Sequence, residues 1–359
     1  MEQQYQYDQS NPRYNQQYQY YVPQKQGGFF KGCLQVLGIL TLIFVCLLGL
    51  LIYGISKITH SVNISNTPKD TSTTNYEYIS GEKNSDNCIA VIEINGVISN
   101  QIISFNNAGA KSIIRLIQEA NQNSSVKAII LNLDTPGGEV TAADEIYHEL
   151  TLVKKPVIAM MNSMAASGGY YISMAADKIV ANELTMTGSI GVIMESINFH
   201  ELSSSIGIKA ETYASGKMKT MLNPLKETTK EEADIINELV DNTYKKFVGI
   251  VSKARNIPEK TILEGPIGDG RVFDGKQALA LNLIDKTGYF SDAEKTAAEL
   301  AKLKEGDYHV SKITESLSFS NALGLLLAKN NISISSEIAP VTKETKLQSG
   351  KLYFLPSIF

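Results

Sequence analysis

Residues 154–181 read KKPVIAMMNSMAASGGYYISMAADKIVA. Positions 157–161 form a continuous apolar run, the pattern of a buried strand. Small residues follow, and 170–176 then reads as an amphipathic helix. Ser167 therefore falls at a helix start between Ala166 and Gly168, where bare backbone lets a ligand approach. Oriented N–H groups and the positive end of the helix dipole face it. Taken alone, such a serine is either a helix cap or a nucleophile.

Working outward, a short apolar run at 88–94 precedes a helical pattern at 110–120, a strand at 126–133, a helix at 140–152 and a strand at 178–181. Strands alternating with helices of ten to fifteen residues predict an α/β domain whose sheet is covered on both sides. Ligands of such sheets gather at the carboxyl ends of the strands. Three glycine-rich loops fall there: DTPGGEV at 134–140, AASGGYY at 165–171 and TGSIGVI at 187–193. Each could be only a tight turn, but three on one sheet edge favour a site. A long amphipathic helix at 228–256 carries Ile236, Leu239, Val240, Tyr244 and Phe247 on one stripe, expected to pack on the core.

The 359 residues are 43% hydrophobic and 19% charged with a formal net charge of −4, enough for one large domain or two small ones. No basic stripe with interleaved aromatics points to nucleic acid. Cys33, Cys46 and Cys88 are too scattered for a disulfide framework, and the absence of HExxH and Cys-x-x-Cys patterns leaves zinc without support. No cofactor is expected.

Residues 1–30 are a Gln/Tyr-rich, low-complexity stretch expected to be a disordered tail. Within 31–57, positions 34–55 are almost wholly apolar, long enough to cross a hydrocarbon layer of roughly 30 Å as a single membrane anchor. Lys25 and Lys31 before it nearly balance Lys57 and Lys69 after it, and Arg13 tips the count towards a cytoplasmic N-terminus with the folded domain outside. Residues 58–87 read as a polar linker, 88–330 as the folded domain and 331–359 as a C-terminal extension ending in KLYFLPSIF, an apolar run that either packs on the domain, lies in an apolar substrate groove or sits between subunits.

A serine hydroxyl is inert near neutral pH unless a neighbour takes its proton. His60 lies in the linker, His309 near the domain's end, His148 on the outer part of a helix and His200 in a polar stretch. No Gly-x-Ser-x-Gly elbow occurs. Lysine is the other candidate base, through Lys217 and Lys219 in KAETYASGKMKTMLNP, provided desolvation keeps the amine neutral. A Walker A reading of that Gly-Lys fails for want of the upstream glycine.

Together DTPGGEVTAADEI, the 154–181 stretch, TGSIGVI, SGKMKTMLNP and GRVFDGKQALALNLID resemble, in motif and order from residue 88 to 285, the membrane-anchored signal peptide peptidase A family. These are Ser–Lys serine proteases of the ClpP/crotonase superfamily, built of stacked ββα units, and the single folded domain matches their short form. The resemblance implies Ser167 as nucleophile, Lys219 rather than Lys217 as general base, Ser189 orienting that lysine, and Gly138 with Gly168 forming the oxyanion hole. Asn162 and Ser163 stand where one glycine is expected, and Thr220 where an acidic residue or serine is common. The resemblance further implies peptide substrates such as signal peptides, a lipid bilayer around 34–55 and a homo-oligomer. A crotonase-type acyl-CoA enzyme and a catalytically inactive scaffold are the competing readings.

Overall fold

The computed structural model describes residues 42–50, 73–100, 107–316 and 351–354. By its internal contacts the chain divides into residues 1–70 and 71–359. In the first unit, residues 42–50 form helix α1 with exposed side chains; the rest of the expected tail and anchor, and His60 of the expected linker, lie outside the described residues. Among the described residues no helix is long and apolar enough to cross a membrane.

The second unit opens with β1 (Thr73–Gly81), inside the stretch expected to be linker. Its alternating Tyr76 and Tyr78 with Ile79 suit a half-covered edge strand better than a tether. Two similar units follow. In the first, β2 (Cys88–Asn95) and the short β3 (Val97–Ser99) lead through β4 (Asn107–Gly109) to α2 (Ala110–Gln122). In the second, β5 (Val126–Thr135) and the short β6 (Gly138–Glu139) lead to α3 (Val140–Thr151). Next come β7 (Val157–Ala166), α4 (Gly168–Ser173), β8 (Lys178–Ala181), β9 (Met186–Gly188), β10 (Ile193–Met194), α5 (His200–Ser205) and a 3-10 turn, Lys217–Thr220. The described chain then runs through α6 (Lys230–Arg255), α7 (Glu259–Glu264), β11 (Val272–Phe273), α8 (Gly275–Ala280), β12 (Lys286–Thr287), α9 (Phe290–Leu300), β13 (His309–Ser316) and β14 (Leu352–Phe354).

The long strand of each unit joins one sheet and the short strand another. The main sheet runs β1-β13-β2-β5-β7-β8-β12, with β9 on β7 and β11 on β9. Its pairs are parallel except β1–β13 and β9–β11. The second runs β10-β14-β6-β3-β4. The expected α/β domain with ββα units is thus observed.

Residue alternation on the main sheet explains why both faces are covered. Ile89, Val91, Ile130, Ile158 and Met160 point one way, towards Ala293 and Ala297 of α9. Ile92, Ile94, Ile129, Leu131, Leu133 and Met161 point the other way, into the larger core with α2, α3 and α4.

Helix α6 begins at a capping box, Thr229 with Glu232, whose carboxylate also takes Lys226 Nζ at 2.5 Å. Only its second half meets the expectation of core packing. Phe247, Val248 and Val251 are buried, with Phe247 edge-on to Tyr171 at 5.1 Å, whereas Leu239 is exposed.

Candidate active site

Strand register assembles the three glycine-rich loops. Thr135 of β5 pairs with Ala165 of β7, which pairs in turn with Thr187 of β9, and Ala166 pairs with Gly188. Loops 134–140, 165–171 and 187–193 therefore emerge side by side at the carboxyl ends of neighbouring strands. Side-chain hydroxyls lock them: Thr187 Oγ1 donates to Ala165 O at 2.7 Å, and Thr135 Oγ1 donates to Gly96 O at 2.6 Å while accepting the Gly137 N–H at 3.0 Å.

Ser167 sits between β7 and α4 with φ 53° and ψ −111°, a conformation costing a non-glycine residue on the order of 1–3 kcal/mol. Its N–H donates to Gly188 O at 2.8 Å, which holds the strained turn against the next loop. The side chain makes no capping bond, so the helix-cap reading falls away. Its Oγ is buried and has no hydrogen-bond partner among the described residues. A buried hydroxyl without a partner is costly, by about 1–3 kcal/mol, and is retained where a reaction needs it free.

Ser189 is the second strained residue, at φ 51°, with its N–H donating to Arg271 O at 2.8 Å. It is buried and lines a cavity of about 430 Å³ shared with Ile193, Asn237, Tyr244 and Asp269. Gly138 is required by packing: a Cβ there would lie 1.9 Å from the Ile98 carbonyl oxygen. Gly169 is constrained less severely, by the Thr135 Cγ2 methyl at 2.7 Å. Gly168 opens α4 directly after the serine.

Ser167, Ser189, Gly138 and Gly168 thus share one edge. Lys219 is not bonded to them. It lies on the exposed 3-10 turn, and among the described residues its amine makes no hydrogen bond or ion pair. Lys217 Nζ is tied to Glu231 in an exposed ion pair. The surrounding arm, residues 195–226, carries apolar side chains open to solvent, with Ile197, Leu202, Ile206, Ile208 and Tyr213 exposed. The histidines serve elsewhere: His148 is exposed, His200 Nδ1 lies 3.2 Å from Leu225 O and His309 Nδ1 lies 3.1 Å from Ser85 O. Among the described residues no group of His, Cys, Asp and Glu could hold a metal.

The sequence left the seat of the C-terminal apolar run open among three alternatives and gave no sign of the Glu139 pairing or of the cations around Asp285. Strand β14 lies antiparallel between β6 and β10, with Phe354 opposite Gly138 and Tyr353 opposite both Glu139 and Ile193. Glu139 is buried beside it and pairs with Lys351. Asp285, the last residue of the 270–285 motif, accepts from the Ile179 N–H at 2.9 Å, Arg255 Nη1 at 2.9 Å and Lys178 Nζ at 3.2 Å. Burial pushes the Asp285 carboxyl up, but those bonds outweigh it and hold it below the usual carboxylate range. Nearby, Tyr170 donates its hydroxyl to Leu283 O at 2.7 Å, and burial drives the phenol far above its ordinary value. Asp285 and Tyr170 fasten the shelf behind the serine. Motif membership was the only signal for Asp285, since sequence gives no view of its cations.

A serine on a strained strand-to-helix turn beside glycine-lined backbone is the arrangement of a serine hydrolase. Residues 150–304 match the model of peptidase family S49. A putative signal peptide peptidase of Enterococcus faecium is 35% identical over 224 residues, 60% of this chain and 64% of that protein. A putative protease of Synechocystis is 36% identical over 217 residues, 60% of this chain and 75% of that protein. A solved structure, a ClpP1 mutant from Listeria monocytogenes, covers 56% of this chain and 93% of its own at 15% identity and a TM-score of 0.40. The chain belongs to peptidase family S49; it spans just under two thirds of the Enterococcus protein's length.

Proposed function

We propose that this chain is a serine endopeptidase that binds its substrate as an extended strand. The observation that carries the reading is β14, a peptide strand seated antiparallel between β6 and β10 and running towards Gly138, the residue assigned to the oxyanion hole. A substrate in its place is held by main-chain hydrogen bonds, as in other strand-addition sites, and is led to the serine loop.

In the reaction, Ser167 Oγ attacks the peptide carbonyl carbon as its proton passes to the Lys219 amine. The N–H groups of Gly138 and Gly168 receive the developing oxyanion, roughly 3–4 kcal/mol per donor where such donors have been removed. Lys219 then protonates the departing amine, and water, deprotonated by the same lysine, hydrolyses the acyl-enzyme. Ser189 accepts or donates a hydrogen bond at the lysine to fix its approach. No metal enters these steps.

Lys219 must be delivered to Ser167. The exposed apolar side chains of the arm that carries it favour docking on a second copy of the chain, which buries them and excludes water from the amine. The apolar run 34–55 supports a membrane anchor with the folded unit outside the cell, and with it a diet of cleaved signal peptides and other hydrophobic peptides released at the bilayer.

The test is turnover of a hydrophobic, signal-peptide-like peptide by the full chain beside Ser167→Ala, Lys219→Ala and Lys217→Ala. Loss in the first two with activity kept in the third is expected. Turnover surviving Ser167→Ala sinks the mechanism, and loss only in Lys217→Ala moves the base.

A further inference from the structure

The wall of the strand site carries a charge that the proposed chemistry does not use. Glu139 follows Gly138 in β6 and is buried. Its Oε1 accepts from Ser99 Oγ at 3.3 Å and its Oε2 from the Asn100 N–H at 3.4 Å, both long for bonds to a carboxylate. The cation it meets is Lys351, whose Nζ donates to Oε1 at 2.9 Å. Lys351 stands two residues before Tyr353, which faces Glu139 directly, so both side chains lie on one face of the strand. Tyr353 is itself buried against that wall.

Any peptide that replaces β14 removes Lys351 from this carboxylate. Among the described residues no other cation pairs with Glu139. A buried carboxylate left with one hydroxyl and one amide is disfavoured, and an incoming strand can restore the balance only by bringing its own positive charge.

We propose that Glu139 is a specificity-determining residue of the strand site, selecting peptides with a lysine or arginine three positions before the residue that faces Gly138. The residues Lys351–Phe354 are the first such ligand, a placeholder that incoming peptides must displace. This rests on the strand-binding reading above and names its substrate class: a basic residue, a spacer, then two large apolar or aromatic residues, as in Lys-Leu-Tyr-Phe. An acidic residue at the first position is excluded by like charge.

Binding tests the proposal independently of turnover. Dye-labelled peptides Ser-Gly-Lys-Leu-Tyr-Phe-Leu and its Gln and Glu counterparts at the lysine are titrated against the full chain carrying Ser167→Ala, read by fluorescence anisotropy. The Lys peptide binds about tenfold more tightly than the Gln peptide, the scale of one charge-assisted hydrogen bond, and the Glu peptide most weakly. Adding Glu139→Gln collapses the Lys-over-Gln ratio towards one, and Glu139→Lys inverts the Lys-over-Glu order. Should these variants fail to fold, Lys351→Glu in the same background is the second test: weakening the placeholder lowers the Kd of the Lys peptide several-fold. Equal Kd values for the three peptides overturn the proposal, as does a preference that persists in Glu139→Gln or a Kd unmoved by Lys351→Glu. Cleavage by the wild-type chain is scored separately, so absent turnover with a charge preference intact refutes the protease reading alone.

Discussion

Replacing Gly138 by alanine separates the backbone requirement from side-chain chemistry. The added Cβ falls 1.9 Å from the Ile98 carbonyl oxygen, 2.6 Å from its nitrogen and 2.7 Å from its carbonyl carbon, all of them backbone atoms of β3. No side chain can swing aside. Restoring a contact of roughly 3.5 Å requires β6 to retreat from β3 by roughly 1.5 Å. The overpacking costs about 1–3 kcal/mol of stability. The same retreat carries the Gly138 N–H away from the proposed oxyanion position, and a displacement near 1 Å costs about 10²-fold in rate, or about 2.7 kcal/mol of barrier. Steady-state cleavage of the signal-peptide-like substrate, with urea unfolding of the same samples, reads both quantities. Gly138→Ala therefore lowers kcat about a hundredfold while leaving most molecules folded under assay conditions. A wild-type kcat in this variant would refute the placement of the oxyanion hole, since the steric displacement is unavoidable.

Ser167→Ala abolishes turnover yet leaves thermal stability equal or slightly raised, by up to about 1 kcal/mol, because it removes a buried hydroxyl that has no partner among the described residues; a marked fall in Tm would show that the hydroxyl has a structural partner. Mixing Ser167→Ala with Lys219→Ala chains restores activity if the lysine comes from a second copy, whereas no recovery after the chains are co-assembled places both groups in one chain. Asp285→Asn leaves Arg255, its side chain only 9% exposed, without its carboxylate and costs about 2–4 kcal/mol at pH 7. The Asp285 carboxyl titrates below its unfolded value of about 3.9. Its stabilisation is therefore complete above that pH and is lost as pH falls through the lower folded value. Urea midpoints of wild type and Asp285→Asn should accordingly converge in acid, and a constant gap from pH 7 to pH 3 would contradict the assignment.

Periodicity carried most of the fold because the main sheet is buried on both faces. Runs such as Ile89–Ile92 and Ile129–Leu131 have no polar side to confuse the reading, and α3 and β8 fall within a residue of expectation. The edge was less legible. Among the described residues strand β1 pairs with β13 alone, so its sequence keeps the Ser, Thr and Asn content of a linker. The three glycine-rich loops could be placed on one edge by counting strands, and the register bears that out. Glu139 and Lys351 could not be paired, because they are far apart in sequence and their meeting depends on the second sheet. The stripe on α6 misled for a physical reason: periodicity reports which face is apolar, not whether the chain itself covers it, and Leu239 stays exposed. Lys219 shows the same limit, since a motif can nominate a base but cannot say what brings it to the serine.

The most direct test of the serine–lysine assignment is covalent labelling with a fluorophosphonate, which transfers its phosphonyl group to the oxygen of an activated serine with loss of fluoride. Peptide mapping of the labelled full chain should find one adduct per chain, on Ser167, formed at least a hundredfold more slowly in Lys219→Ala and at the wild-type rate in Lys217→Ala. An adduct on another residue, or labelling of Ser167 that ignores Lys219, would contradict it.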